Sequence, residues 1–153
     1  MSEVTHEQVK LMLQLFEMRR EPRLREAREW FIGNFHASSM EEMMQKFPMG
    51  TKENTNFRMV VSYWDMCAGI VNRGLINDEL YFESNGEAWG VWERTKGMVP
   101  GMRAAFGNPL FLRHLEELCG RLEAWREKTA PGSVAKMRQM QQMMQQQMAK
   151  ARA

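Results

Sequence analysis

The stretch that decides the fold is Thr55–Gly74, with the sequence TNFRMVVSYWDMCAGIVNRG. Apolar residues recur along it at alternating spacings of four and three, which is the period of one helical face. A second apolar set lies beside the first, so only a narrow polar stripe remains. Such a segment predicts a central helix, which we place at residues 55–73 because Gly74 is a good C-terminal cap. The two faces are Phe57, Val61, Trp64, Ala68 and Val71, and Met59, Tyr63, Met66, Cys67 and Ile70.

Helix signals recur on both sides of this segment, and strand signals are scarce. The pairs Thr5–Gln8 and Ser39–Glu42 have the spacing of capping boxes, and Asn77 can cap a short helix. Asn108-Pro109 is expected to begin the most clearly amphipathic helix. We therefore predict an all-α fold: an antiparallel bundle of about six to eight helical segments around the central helix, followed by a Met/Gln-rich C-terminal helix.

The first helix is unusual because its apolar residues nearly encircle it. We expect it to run from Thr5 to about Arg20. A helix that is apolar on almost every side is either largely buried or shared with a partner. The residues concerned are Val9, Leu11, Met12, Leu13, Leu15, Phe16 and Met18.

Composition and charge exclude several classes of protein. Of the 153 residues, 44% are hydrophobic and 26% are charged, so the chain is not intrinsically disordered. No apolar run is long enough to span a membrane, the first residues lack the apolar region of a secretory signal, and the two cysteines form no disulfide or metal-binding pattern. We therefore expect a cytoplasmic protein.

The charges divide the chain into two parts, a helical bundle domain (residues 1–128) and a basic tail (residues 129–153). The tail carries four basic residues and no acid, whereas the rest has 17 basic and 19 acidic residues. A body that is close to neutral is a poor surface for nucleic acid, so we expect no such partner.

Motifs that carry chemistry are missing from the sequence. It contains no phosphate-binding loop, no G-x-S-x-G turn, no H-E-x-x-H and no C-x-x-C. We therefore expect no catalytic residues, no metal and no cofactor, and we favour a protein that is not an enzyme. The best candidate for a ligand site is the polar stripe of the central helix, Arg58, Ser62 and Asp65, with Trp64 or Trp92 as a wall. The alternative is that Asp65 makes an ion pair or a capping contact that ties helices together.

The tail is rich in methionine and glutamine from Val134 to Met148. Both residue types favour helices. Four interpretations remain open: a frayed helix in solvent, a helix that packs on the body or self-associates, a helix on an anionic membrane surface, and a soft-metal site. In the second interpretation the partner-binding residues are Met137, Met140, Met144 and Met148.

Several segments between residues 61 and 118 form a recognisable series: Val61–Leu80, Trp89–Trp92, Arg103, Gly107–Leu112 and Leu115–Leu118. With this series the chain resembles a family of small bacterial all-helical proteins of unknown function. The resemblance covers roughly residues 55–125, leaves out the tail, and implies the fold without assigning a chemical role to any residue.

These observations favour a non-enzymatic helical module that acts through protein–protein contacts or self-association. The alternatives are a small-molecule or enzymatic pocket at Arg58 and Asp65, and peripheral association of the basic tail with an anionic membrane.

Overall fold

The computed structural model describes residues 3–153, which form nine α-helices and no strand. The predicted all-α bundle followed by a C-terminal helix is therefore confirmed. The helices are α1 (His6–Arg19), α2 (Pro22–Asn34), α3 (Met40–Lys46), α4 (Lys52–Asn72), α5 (Asp78–Ser84), α6 (Glu87–Thr95), α7 (Val99–Ala105), α8 (Arg113–Thr129) and α9 (Ser133–Arg152).

The predicted central helix is α4, which packs between α2 and α8 and also touches α6. It begins at Lys52, three residues earlier than expected, because the Thr51 hydroxyl accepts a hydrogen bond from the Asn54 N–H at 3.2 Å. Val61 and Trp64 are 2% and 0% exposed, so the predicted apolar face does form the core. After the helix, Gly74 takes a φ of +78°, a conformation that favours glycine.

The three predicted N-terminal caps are all formed. The hydroxyl of Thr5 accepts from the Gln8 N–H at 3.2 Å, and that of Ser39 accepts from the Glu42 N–H at 3.1 Å. The side chain of Asn77 accepts from the Leu80 N–H at 3.1 Å. Each cap satisfies one of the backbone donors that a helix leaves without an internal partner at its start.

The start of α8 differs from the prediction. Residues 108–112 form a turn, and the helix begins only at Arg113. Asn108 accepts a hydrogen bond from the Leu110 N–H at 3.1 Å, which folds the chain into a local turn instead of a helix. Leu112 has a φ of 56°, in the left-handed region, and a residue in that conformation interrupts a right-handed helix.

The apolar residues of α1 are mostly not in the core. Leu15 is its buried residue, whereas Leu13, Phe16 and Met18 are 58%, 38% and 51% exposed. Two polar contacts hold α1 on the body: the Tyr63 hydroxyl donates to the Leu15 carbonyl at 2.5 Å, and the Asn77 N–H donates to Gln8 Oε1 at 3.0 Å. We expected this helix to be either largely buried or shared with a partner, and the structure shows that it is not largely buried.

The tail forms α9, which lies against α8 and α2. Its start is capped by a side chain of the preceding helix: Glu127 accepts hydrogen bonds from the backbone N–H groups of Gly132 and Val134, both at 2.9 Å. These bonds favour the charged carboxylate and hold the pKa of Glu127 below its usual value. The side chain of Ser133, the first residue of α9, does not cap the helix and donates its hydroxyl to the Arg126 carbonyl.

Candidate functional site

The polar stripe of α4 lies partly in the seam with α8. Asp65 is half-buried, and its Oδ1 accepts a hydrogen bond from the Leu115 N–H at 3.0 Å, in the first turn of α8. A carboxylate at this position is also favoured by the positive end of the helix dipole. Seven residues further along α4, the Asn72 amide donates to the His114 carbonyl at 3.0 Å. Asp65 therefore makes the capping contact that was the alternative to a ligand role.

A pocket of about 410 Å³ nevertheless opens beside Asp65. The α4 stripe supplies one wall, and the turn before α8 supplies the other. Arg58 and Ser62 line the pocket with Asp65, so the structure brings together three of the predicted site residues. Arg58 is exposed, and its Nε donates to Asn54 Oδ1 at 3.2 Å. The other lining residues are Val61, Met66, Asn108, Leu110, Phe111 and Leu112.

Neither tryptophan that we considered as a wall lines this pocket. Trp64 is fully buried in the core, with its ring 5.0 Å from that of Tyr63. Successive residues of a helix point about 100° apart, so Trp64 turns to the core while its neighbour Asp65 turns to α8. Trp92 is half-buried on α6 and packs against the core. The predicted set of five residues is therefore divided between the pocket and the interior.

The pocket holds no arrangement that suits acid–base or nucleophilic chemistry. Its lining includes neither His nor Cys, and its one carboxylate already accepts a backbone hydrogen bond. The two cysteines lie elsewhere in the core, where burial raises the pKa of Cys67 to about 11 and also raises that of Cys119. Both thiols are thus protonated at neutral pH, as expected for small buried apolar groups. Among residues 3–153 no cluster of His, Cys, Asp or Glu could hold a metal ion.

A second concave surface, which the sequence analysis did not identify, lies between α1 and α4. We call it the α1/α4 groove; it encloses about 600 Å³. Met18 and Met66 on its two walls are 51% and 43% exposed, although Met66 belongs to a face of α4 that we expected other helices to cover. The groove is largely apolar, and the signal for it was the nearly all-round apolar pattern of α1. Its lining residues are Leu11, Gln14, Leu15, Glu17, Met18, Met66 and Ile70.

The methionines predicted to bind a partner lie on α9 in two orientations. Met137 packs against the core and Met148 is half-buried, whereas Met140 and Met144 are 59% and 42% exposed. The tail is also held by charge, because Arg138 bridges two carboxylates of the body. Its Nε lies 2.5 Å from Glu93 Oε1 on α6, and its guanidinium donates to Glu123 Oε1 on α8 at 2.8 Å.

None of the helices in the part of the chain that the structure describes is long and apolar enough to cross a membrane.

Comparisons with known proteins place the chain in a family. Neither the curated proteins nor the solved structures contain a match to it. A family model described as a domain of unknown function, DUF4760, matches residues 4–122. The match extends further towards the N-terminus than the resemblance over residues 55–125, and it leaves out α9. With more than three quarters of its length matched, the chain belongs to the DUF4760 family of domains of unknown function.

Proposed function

We propose that the protein is a non-enzymatic interaction module whose contact surface is α1 together with the α1/α4 groove. The observation that carries this proposal is the exposure of Leu13, Phe16, Met18 and Met66, the last two of which line the largely apolar groove. Contiguous exposed apolar surface of this kind marks interaction sites in folded proteins. A groove between two helices suits an amphipathic helix of a partner or of a second copy, which would lay its apolar side chains between α1 and α4.

Site-specific photo-crosslinking in the native cells tests this proposal. A photoreactive residue at position 66 is expected to give one adduct of discrete mass, because Met66 lies on a wall of the groove. The matched control is position 49, since Met49 is 69% exposed but does not line the groove. Adding Met18→Glu should abolish the adduct at position 66, because a carboxylate at that position is costly to bury in an apolar contact. The absence of any adduct specific to position 66 would contradict the proposal.

The second candidate function is binding of a small polar molecule in the pocket beside Asp65. The specific observation in its favour is a volume of about 410 Å³ with Arg58, Ser62 and Asn108 on its lining. Such a mixture of a few polar groups and apolar walls is typical of ligand pockets. The capping role of Asp65 competes with this function, since it accounts for the carboxylate without a ligand.

Substitutions of Asp65 separate the two roles. Asp65→Ala removes the acceptor for the Leu115 N–H, so we expect the free energy of unfolding to fall by about 1–2 kcal/mol. Asp65→Asn keeps an acceptor oxygen and loses only the charge, so its cost should stay under about 1 kcal/mol. Urea denaturation measures both values. If both variants are as stable as the wild type, Asp65 does not cap α8, and a ligand role becomes the better explanation.

Association of the tail with an anionic membrane is the least favoured of the three functions. The positive charge of Arg138 is paired with Glu93 and Glu123, so it is not free for lipid headgroups. Met137 packs against the core and is likewise occupied. Met140 and Met144 are exposed, and their binding to a partner stays a prediction.

A further inference from the structure

We propose that α1 binds α1 of a second copy of this chain in an antiparallel pair, through its outer stripe. We define the outer stripe as Val9, Leu13 and Phe16, which follow one another at spacings of four and three residues. This inference rests on the proposed function and names the partner of one face of α1. Its apolar stripe uses no residue of the α1/α4 groove, although Glu17, which the pair also uses, lines that groove.

The outer stripe is accessible at Leu13 and Phe16, whereas Val9 is half-buried. Successive residues are about 100° apart, so Leu13 lies on the side of the helix opposite Leu15, which anchors α1 in the core, and Phe16 lies about a quarter turn from Leu15. Leu13 and Phe16 are 58% and 38% exposed. A second copy can therefore approach the stripe without displacing any helix of the first.

The spacing of the stripe is the spacing of a coiled-coil seam. In an antiparallel pair centred on the stripe, Leu13 of each copy packs beside Phe16 of the other, and Val9 packs beside the stem of Arg20. The guanidinium groups of Arg19 and Arg20 already lie 4.2 and 5.8 Å from the centre of the Phe16 ring. The cations at this end of α1 thus already pack over the Phe16 ring, and their aliphatic stems can extend the apolar contact.

Charge is what selects a second copy, and the antiparallel direction, as the partner. Lys10 and Glu17 lie on the same flank of the stripe, seven residues apart. In the antiparallel pair Lys10 of each copy faces Glu17 of the other, which gives two equivalent ion pairs related by the two-fold axis. A parallel pair would instead place Lys10 opposite Thr5 and Glu17 opposite Met12, with no ion pair. Within one copy Lys10 makes only a loose 3.7 Å contact with Glu7, with both side chains largely exposed, so it is free to pair.

The contact is expected to be weak and reversible. A single pair of 14-residue helices, each about 21 Å long, lies at the small end of specific interfaces. Exposed ion pairs add little affinity but set orientation. We therefore expect a dissociation constant of about micromolar or weaker, which folded helices held on a body can reach without the cost of helix nucleation.

The test is sedimentation equilibrium of the full chain over about 1 µM to about 1 mM, with charge reversals on α1. The wild type should dissociate on dilution. Lys10→Glu and Glu17→Lys each place like charges opposite one another, and each should raise the dissociation constant by about three- to ten-fold. The double variant with both changes restores the opposite charges and should return to within about two-fold of the wild type.

Leu13→Glu should raise the dissociation constant by more than about ten-fold, because it places a charge in the apolar seam. Its matched control is Leu75→Glu, since Leu75 is 54% exposed in the turn after α4, and it should leave the constant unchanged. A wild-type chain that is monomeric throughout, or a double variant that is no better than the single ones, overturns the antiparallel pair. Neither outcome predicts whether the photo-crosslinked adduct at position 66 forms. Failure of this inference is therefore distinguishable from failure of the proposed function.

Discussion

Replacing Trp64 with alanine is expected to lower the free energy of unfolding by about 3–5 kcal/mol. Trp64 is 0% exposed and is the largest of the fully buried side chains of the described residues, so its removal leaves a cavity between α4 and its neighbours. The ring also loses an edge-on contact with Tyr63 at 5.0 Å. Guanidinium denaturation followed by circular dichroism measures the change.

Trp64→Phe is the matched variant, and we expect it to cost only about 1–2 kcal/mol. Phenylalanine keeps part of the apolar volume. It also removes the indole N–H, which has no hydrogen-bond partner among the described residues and is therefore costly to bury. Two equally costly variants would indicate that the indole N–H has a partner, such as a buried water molecule.

The Trp64 pair also tests where the functional surface lies. If Trp64 formed the wall of a ligand pocket, as the sequence allowed, Trp64→Ala would weaken binding at little cost in stability. A loss of several kcal/mol instead assigns this side chain to the core, where the structure places it. The pocket beside Asp65 then depends on Arg58 and Ser62 for its polar contacts.

The parts of the fold that were predictable are those that depend only on residues close together in the sequence. Thr5, Ser39 and Asn77 cap their helices as expected, because a side chain that bonds the backbone three residues on needs no tertiary partner. The central helix was equally clear, since a seam of apolar residues at helical spacing over five turns has no competing interpretation. Its start shifted only by the extra cap at Thr51.

The parts that were not predictable depend on contacts between distant segments. Arg94 is 9% exposed. Its guanidinium donates hydrogen bonds to the carbonyls of Phe31 and Ile32, more than sixty residues away, and so satisfies two carbonyl groups near the C-terminal end of α2. Burial lowers its pKa, and nothing in the local pattern of α6 marks it. Leu112 is similar, because its left-handed φ of 56° occurs at a residue type that rarely adopts it.

The candidate site was predictable in part for the same reason. Helical spacing placed Arg58, Ser62 and Asp65 on one stripe of α4, and they do line one pocket. Periodicity cannot tell which neighbour covers a stripe, however, and it therefore gave no sign that Met66 faces an open groove. The exposure of α1 follows from how few of its side chains reach the core, a property of the whole packing.

Gly97→Ala is expected to destabilise the protein by about 1–3 kcal/mol, the range typical of overpacking. Gly97 lies in the turn between α6 and α7, where the backbone before α3 approaches it closely. A Cβ atom at this position would lie 2.6 Å from the Ser38 carbonyl oxygen, which is backbone and cannot move aside as a flexible side chain can. The turn would have to open, and the packing of α3 on α7 would loosen with it.

The matched control is Gly120→Ala, which adds the same methyl group within α8, where nothing lies within 4 Å of the new Cβ. Alanine loses less backbone entropy than glycine on forming a helix, so this variant should gain about 0.5–1 kcal/mol. The two variants add the same methyl group, so opposite signs would reflect the helical backbone at Gly120 and the close approach of Ser38 at Gly97. Urea denaturation of both variants measures the two changes. Equal gains would mean that the segment before α3 gives way, and that the cavity of about 350 Å³ that it lines with α6 and α9 can change its shape.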